Sequence, residues 1–173
     1  MRNELKNFNW HIYGLGERDI DFAYDLVKDI INDRNKILGD YSERIKKEYP
    51  ESFTDIMDDI GYYHGLENLI FWQFALWRLQ GIFEGMIILN YLKDPSLIKK
   101  LIGLKAKLNK IKDSGFPISQ NDYESLIDWG ELRNALSHCP PEKYGDVDLK
   151  EEDIKEFIAL IKRVMSVWDK KIV

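Results

Sequence analysis

The chain has 173 residues, 45% of them hydrophobic and 13% aromatic, which excludes intrinsic disorder and suffices to bury one core without staples. A net charge of −5 excludes blanket attraction to nucleic acid while leaving room for a local basic patch, and the single Cys139 excludes an internal disulfide and a thiolate-rich zinc site. The richest apolar stretch, LIFWQFALWRLQGIFEGMIIL, is broken by Gln73, Arg78, Gln80 and Glu84 and reads as a core helix rather than a membrane span. MRNELKNFNW lacks an apolar leader, so the expected compartment is the cytoplasm.

One domain spanning residues 1–173 is expected, built from helices. The first runs from about Glu17 to Leu38, with Ile20, Ala23, Tyr24, Val27, Ile30 and Ile31 at three- and four-residue spacing on its inner face. Pro50 ends the polar piece after it. The second begins at Thr54 or Asp55, good N-cap types, and continues to about Leu92. Gly61, Gly65, Gly81 and Gly85 each weaken it by about 1 kcal/mol against alanine, so a kink or break is expected near Gly61 to Gly65. The same small residues allow a neighbouring helix to come close. Phe71, Trp72, Phe74 and Trp77 read as core or as part of a dimer face.

Asp94 as N-cap and Pro95 at the first helical position announce the third helix, which is expected to reach about Lys112 and stop at SGFP. The fourth runs from about Gln120 to Ser137, where Pro140 and Pro141 forbid continuation. The fifth starts at Asp148, which can pair with Glu151 in a capping-box-like arrangement, and carries Ile154, Phe157, Ile158, Ile161, Val164, Met165 and Trp168 inward. No segment alternates with period two for long enough to suggest a sheet. The fold class that results is all-α, an up-and-down bundle of four to five helices with short connections.

The end of the fourth helix, ELRNALSHCPP, concentrates the chemistry. Cations near a helix C-terminus complement its dipole and are ordinary there. Asn134, however, is a poor interior helix residue, and it stands four before His138, so the two positions share a face. Arg133 lies five before His138, about 140° away around a regular helix. It joins the same site within one chain only if the backbone leaves the helix around Ser137 to Cys139.

R-N-A-L-S-H resembles the Arg-polar-x3-His signature of the HEPN superfamily, helical domains found in many prokaryotic toxin and phage-defence ribonucleases. The resemblance implies a HEPN-like bundle with Arg133, Asn134 and His138 as catalytic residues of a metal-independent endoribonuclease. In such enzymes the ribose 2′-hydroxyl attacks the adjacent phosphorus and leaves a cyclic phosphate. The residue types suit that chemistry. A guanidinium holds two phosphate oxygens through a planar fork, and a histidine exchanges protons near neutrality. A general acid and a general base are both required, and each chain offers one motif histidine. A homodimer with a composite active site supplies both, as the family also implies. The family often adds an acidic residue from an earlier helix, for which Glu84 in GIFEGM is the candidate; its ordinary alternative is a carboxylate set against Arg78 or turned to solvent. An antitoxin protein is the further partner the resemblance implies.

The third helix is the one basic element. Lys99, Lys100, Lys105, Lys107, Lys110 and Lys112 occur there with no acid, and the first four are the candidate RNA-binding residues, the alternative being a plain solvated face. His11, His64 and His138 show no metal-ligand spacing, and neither a metal nor a cofactor is expected. His138 and Cys139 are adjacent, which disfavours a cysteine–histidine hydrolase. Beside the ribonuclease reading stands a catalytically silent HEPN-like domain that binds RNA, nucleotide or a protein partner.

Overall fold

A computed structural model describes residues 16–138 and 148–172, the side chains of His138 and Ile172 excepted. Among these residues the backbone is all-helical, with five α-helices and no strand. Helix α1, Glu17–Glu48, turns Ile20, Ala23, Ile31 and Ile45 inward. It outruns its expected end at Leu38 because Ile45 stands fourteen residues after Ile31, almost four whole turns, and returns to the same inner face. Gly16 opens the helix, its N–H donating to Asp19 Oδ2 at 2.7 Å.

Helix α2, Phe53–Met86, runs antiparallel beside α1, with Tyr24 facing Trp72 at one level and Asn35 facing His64 further out. The break expected near Gly61 to Gly65 does not occur, since α2 is helical throughout. Both glycines face open space, so nothing presses on the backbone there, and their cost is too small to break a long helix. The irregularity comes at the other end instead. Ile87–Tyr91 forms a π-helical turn closed by Leu92 N–H on the Ile87 carbonyl at 2.9 Å, and it buries Ile87, Ile88 and Tyr91 together. Every buried residue of α2 lies from Trp72 onward. The first half of the helix leans on α1 alone.

Asp94 does cap Pro95–Lys99, accepting from Ser96 N–H at 3.0 Å, but that segment is a single 3₁₀ turn. The expected helix from Pro95 to Lys112 is divided, because Gly103 takes a left-handed φ of +78° and starts a separate helix. That helix, α3, covers Gly103–Asp113. Helix α4, Gln120–His138, begins where Ser119 Oγ accepts from Asp122 N–H at 3.0 Å. It is helical as far as His138; Cys139 and the proline pair expected to stop it lie outside the described residues.

Helix α5, Glu151–Ile172, buries Ile154, Phe157, Ile161, Val164, Met165 and Trp168 as its spacing predicts, with Ile158 half-buried. Its start differs from expectation. Asp153, not Glu151, reaches back, accepting from Lys150 N–H at 2.7 Å, while Asp148 pairs with Lys150 at 2.8 Å. Glu151 is used to dock α5 on α1, meeting Tyr24 Oη at 2.5 Å and Lys28 Nζ at 2.9 Å. Trp168 stacks on Phe83 with centroids 5.9 Å apart and donates its indole N–H to the Pro117 carbonyl at 2.8 Å. Helices α2, α4 and α5 thus close around one core, with α3 laid against α4. No helix among the described residues is long and apolar enough to cross a membrane.

Candidate functional site

Three helices converge around Glu84. Gly130, buried in α4, lets α3 approach so closely that a Cβ there would meet Leu104 at 3.2 Å. One turn beyond Leu104, Lys107 is thereby aimed at α2, where its Nζ meets Glu84 Oε2 at 2.5 Å. The other carboxylate oxygen accepts from Gln80 Nε2 at 2.7 Å. Gln80 is 2% exposed and Lys107 9%, the two buried polar side chains among the described residues. Glu84 therefore pairs with Lys107 rather than with Arg78, which is exposed. Gln80 was not anticipated, although its position four residues before Glu84 on the same helix announces the contact.

Arg133 reaches the same place from α4. Its guanidinium carbon lies 4.9 Å from the centroid of the Trp77 ring, and Nη1 donates to Asn134 Oδ1 at 3.2 Å. Its Nε is buried without an acceptor, and Gln80 Oε1 is buried without a donor. Ser137 Oγ donates to the Arg133 carbonyl at 2.7 Å, competing with the helix's own hydrogen bond to that carbonyl. Arg133, Glu84 and Lys107 share a pocket of about 200 Å³ walled by Gly81, Gly85, Ile88, Leu89 and Ile98. Glu84 and Lys107 cancel in charge, so Arg133 leaves the pocket positive.

The backbone stays helical through His138. Positions 133 and 138 accordingly remain about 140° apart around the axis of α4, and the departure expected to unite them does not occur before position 138. Asn134 is exposed and held by Arg133. Of the four lysines named for RNA, Lys99 and Lys100 are exposed on or just after the 3₁₀ turn and Lys105 is exposed on α3, whereas Lys107 is committed to Glu84. Trp72 is core; Phe74 and Trp77, at 58% and 44% exposure, are surface.

A larger pocket of about 390 Å³ lies further out between α1 and α2, lined by Arg34, Tyr41, Tyr63, His64 and Glu67 among others. Its polar groups mostly hold one another. Arg34 is paired with Glu67, and His64 Nε2 meets Asn35 Oδ1 at 2.7 Å. Burial, and secondarily the Arg34 charge, pushes His64 below its ordinary value, so it is neutral near pH 7. His11 lies outside the described residues. Among the described residues no group of three histidine, cysteine or carboxylate side chains converges to hold a metal ion. No protein-family model matches the chain, and no curated protein or solved structure matches it either, so the functional reading rests on these residues themselves.

Proposed function

We propose that this protein is a metal-independent endoribonuclease of HEPN type, a toxin or phage-defence component restrained by an antitoxin protein. The observation that carries the reading is Arg133: a guanidinium backed by Trp77 at the mouth of a positive pocket, with a buried N–H that has no acceptor. An unsatisfied buried donor costs roughly 1–3 kcal/mol, a cost relieved when the side chain swings outward to meet a phosphate oxygen. In this reading Arg133 binds the scissile phosphate and stabilises charge on the phosphorane, and Asn134 holds the guanidinium in place. His138 moves the proton. Because Arg133 and His138 occupy different faces of α4, a homodimer that brings two copies of the motif together supplies both groups from the faces each chain presents.

Glu84 favours a second reading in one respect. Its charge is already taken by Lys107 and Gln80, which suits a domain that binds RNA or nucleotide without cutting it. The deciding experiment is incubation of the purified protein with RNA in EDTA, followed by end-group analysis. The ribonuclease reading expects 2′,3′-cyclic phosphate ends and a loss of ~10²–10⁴ in rate for His138→Ala and for Arg133→Ala, with Asn134→Ala between them and the wild type. Equal cleavage by wild type and His138→Ala would displace the assignment. Binding without cleavage would establish the silent domain.

A further inference from the structure

The pocket of about 200 Å³ beside Arg133 is assembled from several short pieces of chain. Helix α2 gives it Gly81 and Gly85, and nothing lies within 4 Å of where a Gly81 Cβ would stand, so the missing side chain leaves that space open. The π-helical turn adds two successive residues, Ile88 and Leu89. Because Gly103 divides the basic segment, the 3₁₀ turn contributes Ile98 and α3 contributes Lys107. An apolar slot with polar groups set into it results. It is smaller than the ~300–1,000 Å³ of a drug-sized site and suits a single flat ring system.

The polar groups say which ring. An ammonium has three donors and an ionised carboxylate about four acceptor sites. Lys107 gives one donor to Glu84, and Glu84 accepts that bond and one from Gln80. About two donors and two acceptor sites therefore stay open side by side, on side chains only 11% and 18% exposed. The ring edge that satisfies them carries an acceptor next to two adjacent N–H donors. Among the four RNA bases guanine alone has that edge, with O6 followed by the N1 and N2 hydrogens. Uracil sets a second carbonyl where the second donor belongs, and adenine and cytosine each bring a single donor group. Unpaired RNA bases are commonly read in this way, packed between side chains and hydrogen-bonded along the Watson–Crick edge.

We propose that the pocket takes one guanine base of single-stranded RNA, with Lys107 donating to O6 and Glu84 accepting from the N1 and N2 hydrogens. The ribose stays outside, and the phosphate of the same nucleotide meets Arg133, which lines the pocket from α4. The base site deepens the proposed function by naming the nucleotide it acts beside, and it rests on that reading for Arg133 as the phosphate ligand. The Glu84–Lys107 pair thereby serves as a specificity determinant rather than as part of the proton transfer.

Calorimetric titration in EDTA with guanosine, adenosine, cytidine, uridine and inosine 5′-monophosphates tests the site without requiring cleavage. The guanosine nucleotide is expected to bind about 10- to 100-fold more tightly than the adenosine, cytidine and uridine nucleotides. Inosine monophosphate, which lacks the N2 amino group, is expected in between. Gly81→Leu puts a side chain into the slot and is expected to lose the preference with helicity unchanged. Gly61→Leu, on the same helix with equally open surroundings but outside the pocket, keeps it. Nucleotides that bind equally or not at all, or a Gly81→Leu protein that still prefers guanine, overturn the base site. RNA cleavage without any guanine preference removes the base site and leaves the ribonuclease reading standing. A guanine preference that Gly81→Leu abolishes, in a protein that cuts no RNA, does the reverse.

Discussion

The Arg133 guanidinium stands over the Trp77 ring, 4.9 Å from its centroid, so α2 supplies the platform for a charge that α4 carries. Such a contact is worth ~0.5–1 kcal/mol when exposed and about 2 when desolvated. On the proposed ribonuclease reading, Trp77→Leu is therefore expected to lower kcat/KM for RNA cleavage by about 2- to 30-fold, and Trp77→Phe, which keeps a ring, by less. The comparison belongs at protein concentrations where all three proteins sediment alike. Identical rates for tryptophan and leucine would mean that the ring does not orient the arginine.

Glu84 and Lys107 form an ion pair with side chains only 18% and 11% exposed. Removing one partner strands the other charge in a dry place, at a cost of about 2–4 kcal/mol in this partly buried setting. Lys107→Met and Glu84→Gln are each expected to lower the urea midpoint, and the double substitution is expected to recover much of the loss. Purely additive effects in that cycle would show that the pair contributes no coupling.

Lys99, Lys100 and Lys105 are open to solvent, whereas Lys107 is not. If RNA phosphates contact the three open lysines, each alanine substitution should reduce the slope of log affinity against log salt by roughly one unit. Lys107→Met should leave that slope alone and show itself in stability. Filter binding across a salt series separates the two behaviours.

Glu151 links α5 to α1, and the Lys155, Tyr24 and Lys28 hydrogen bonds hold its carboxyl down to about 2 from an ordinary 4.5. The unfolded chain takes up this proton first as pH falls, so the stability the group contributes is complete above about 4.5 and disappears on the way to 2. Urea unfolding of the wild type should weaken across that window, and Glu151→Gln should flatten this part of the acid limb. Parallel acid limbs for the two proteins would count against Glu151 as the group responsible.

Period and punctuation were enough to determine the all-helical class, the inward face of α5 and the cap at Asp94, because each depends on residues within a few turns of one another. Arg133 and Asn134 stood out by type and position, whereas Glu84 was a candidate only through the family resemblance. What depended on distant chain segments was not legible. Gly103 could be seen, but not the left-handed φ that divides the basic segment. Ile45 lies beyond the helix end expected at Leu38, and its burial shows only in the folded chain, while Gly61 and Gly65 looked like breaks until their surroundings proved open. Lys107 read as one of four candidate RNA-binding lysines; the close approach of α3 at Gly130 is what carries it onto Glu84. Trp77 read as core or interface, and only the crossing of α2 and α4 sets it under Arg133. Helix propensity and capping are local energies, whereas burial, ion pairing and a ring beneath a guanidinium exist only once separate helices have packed.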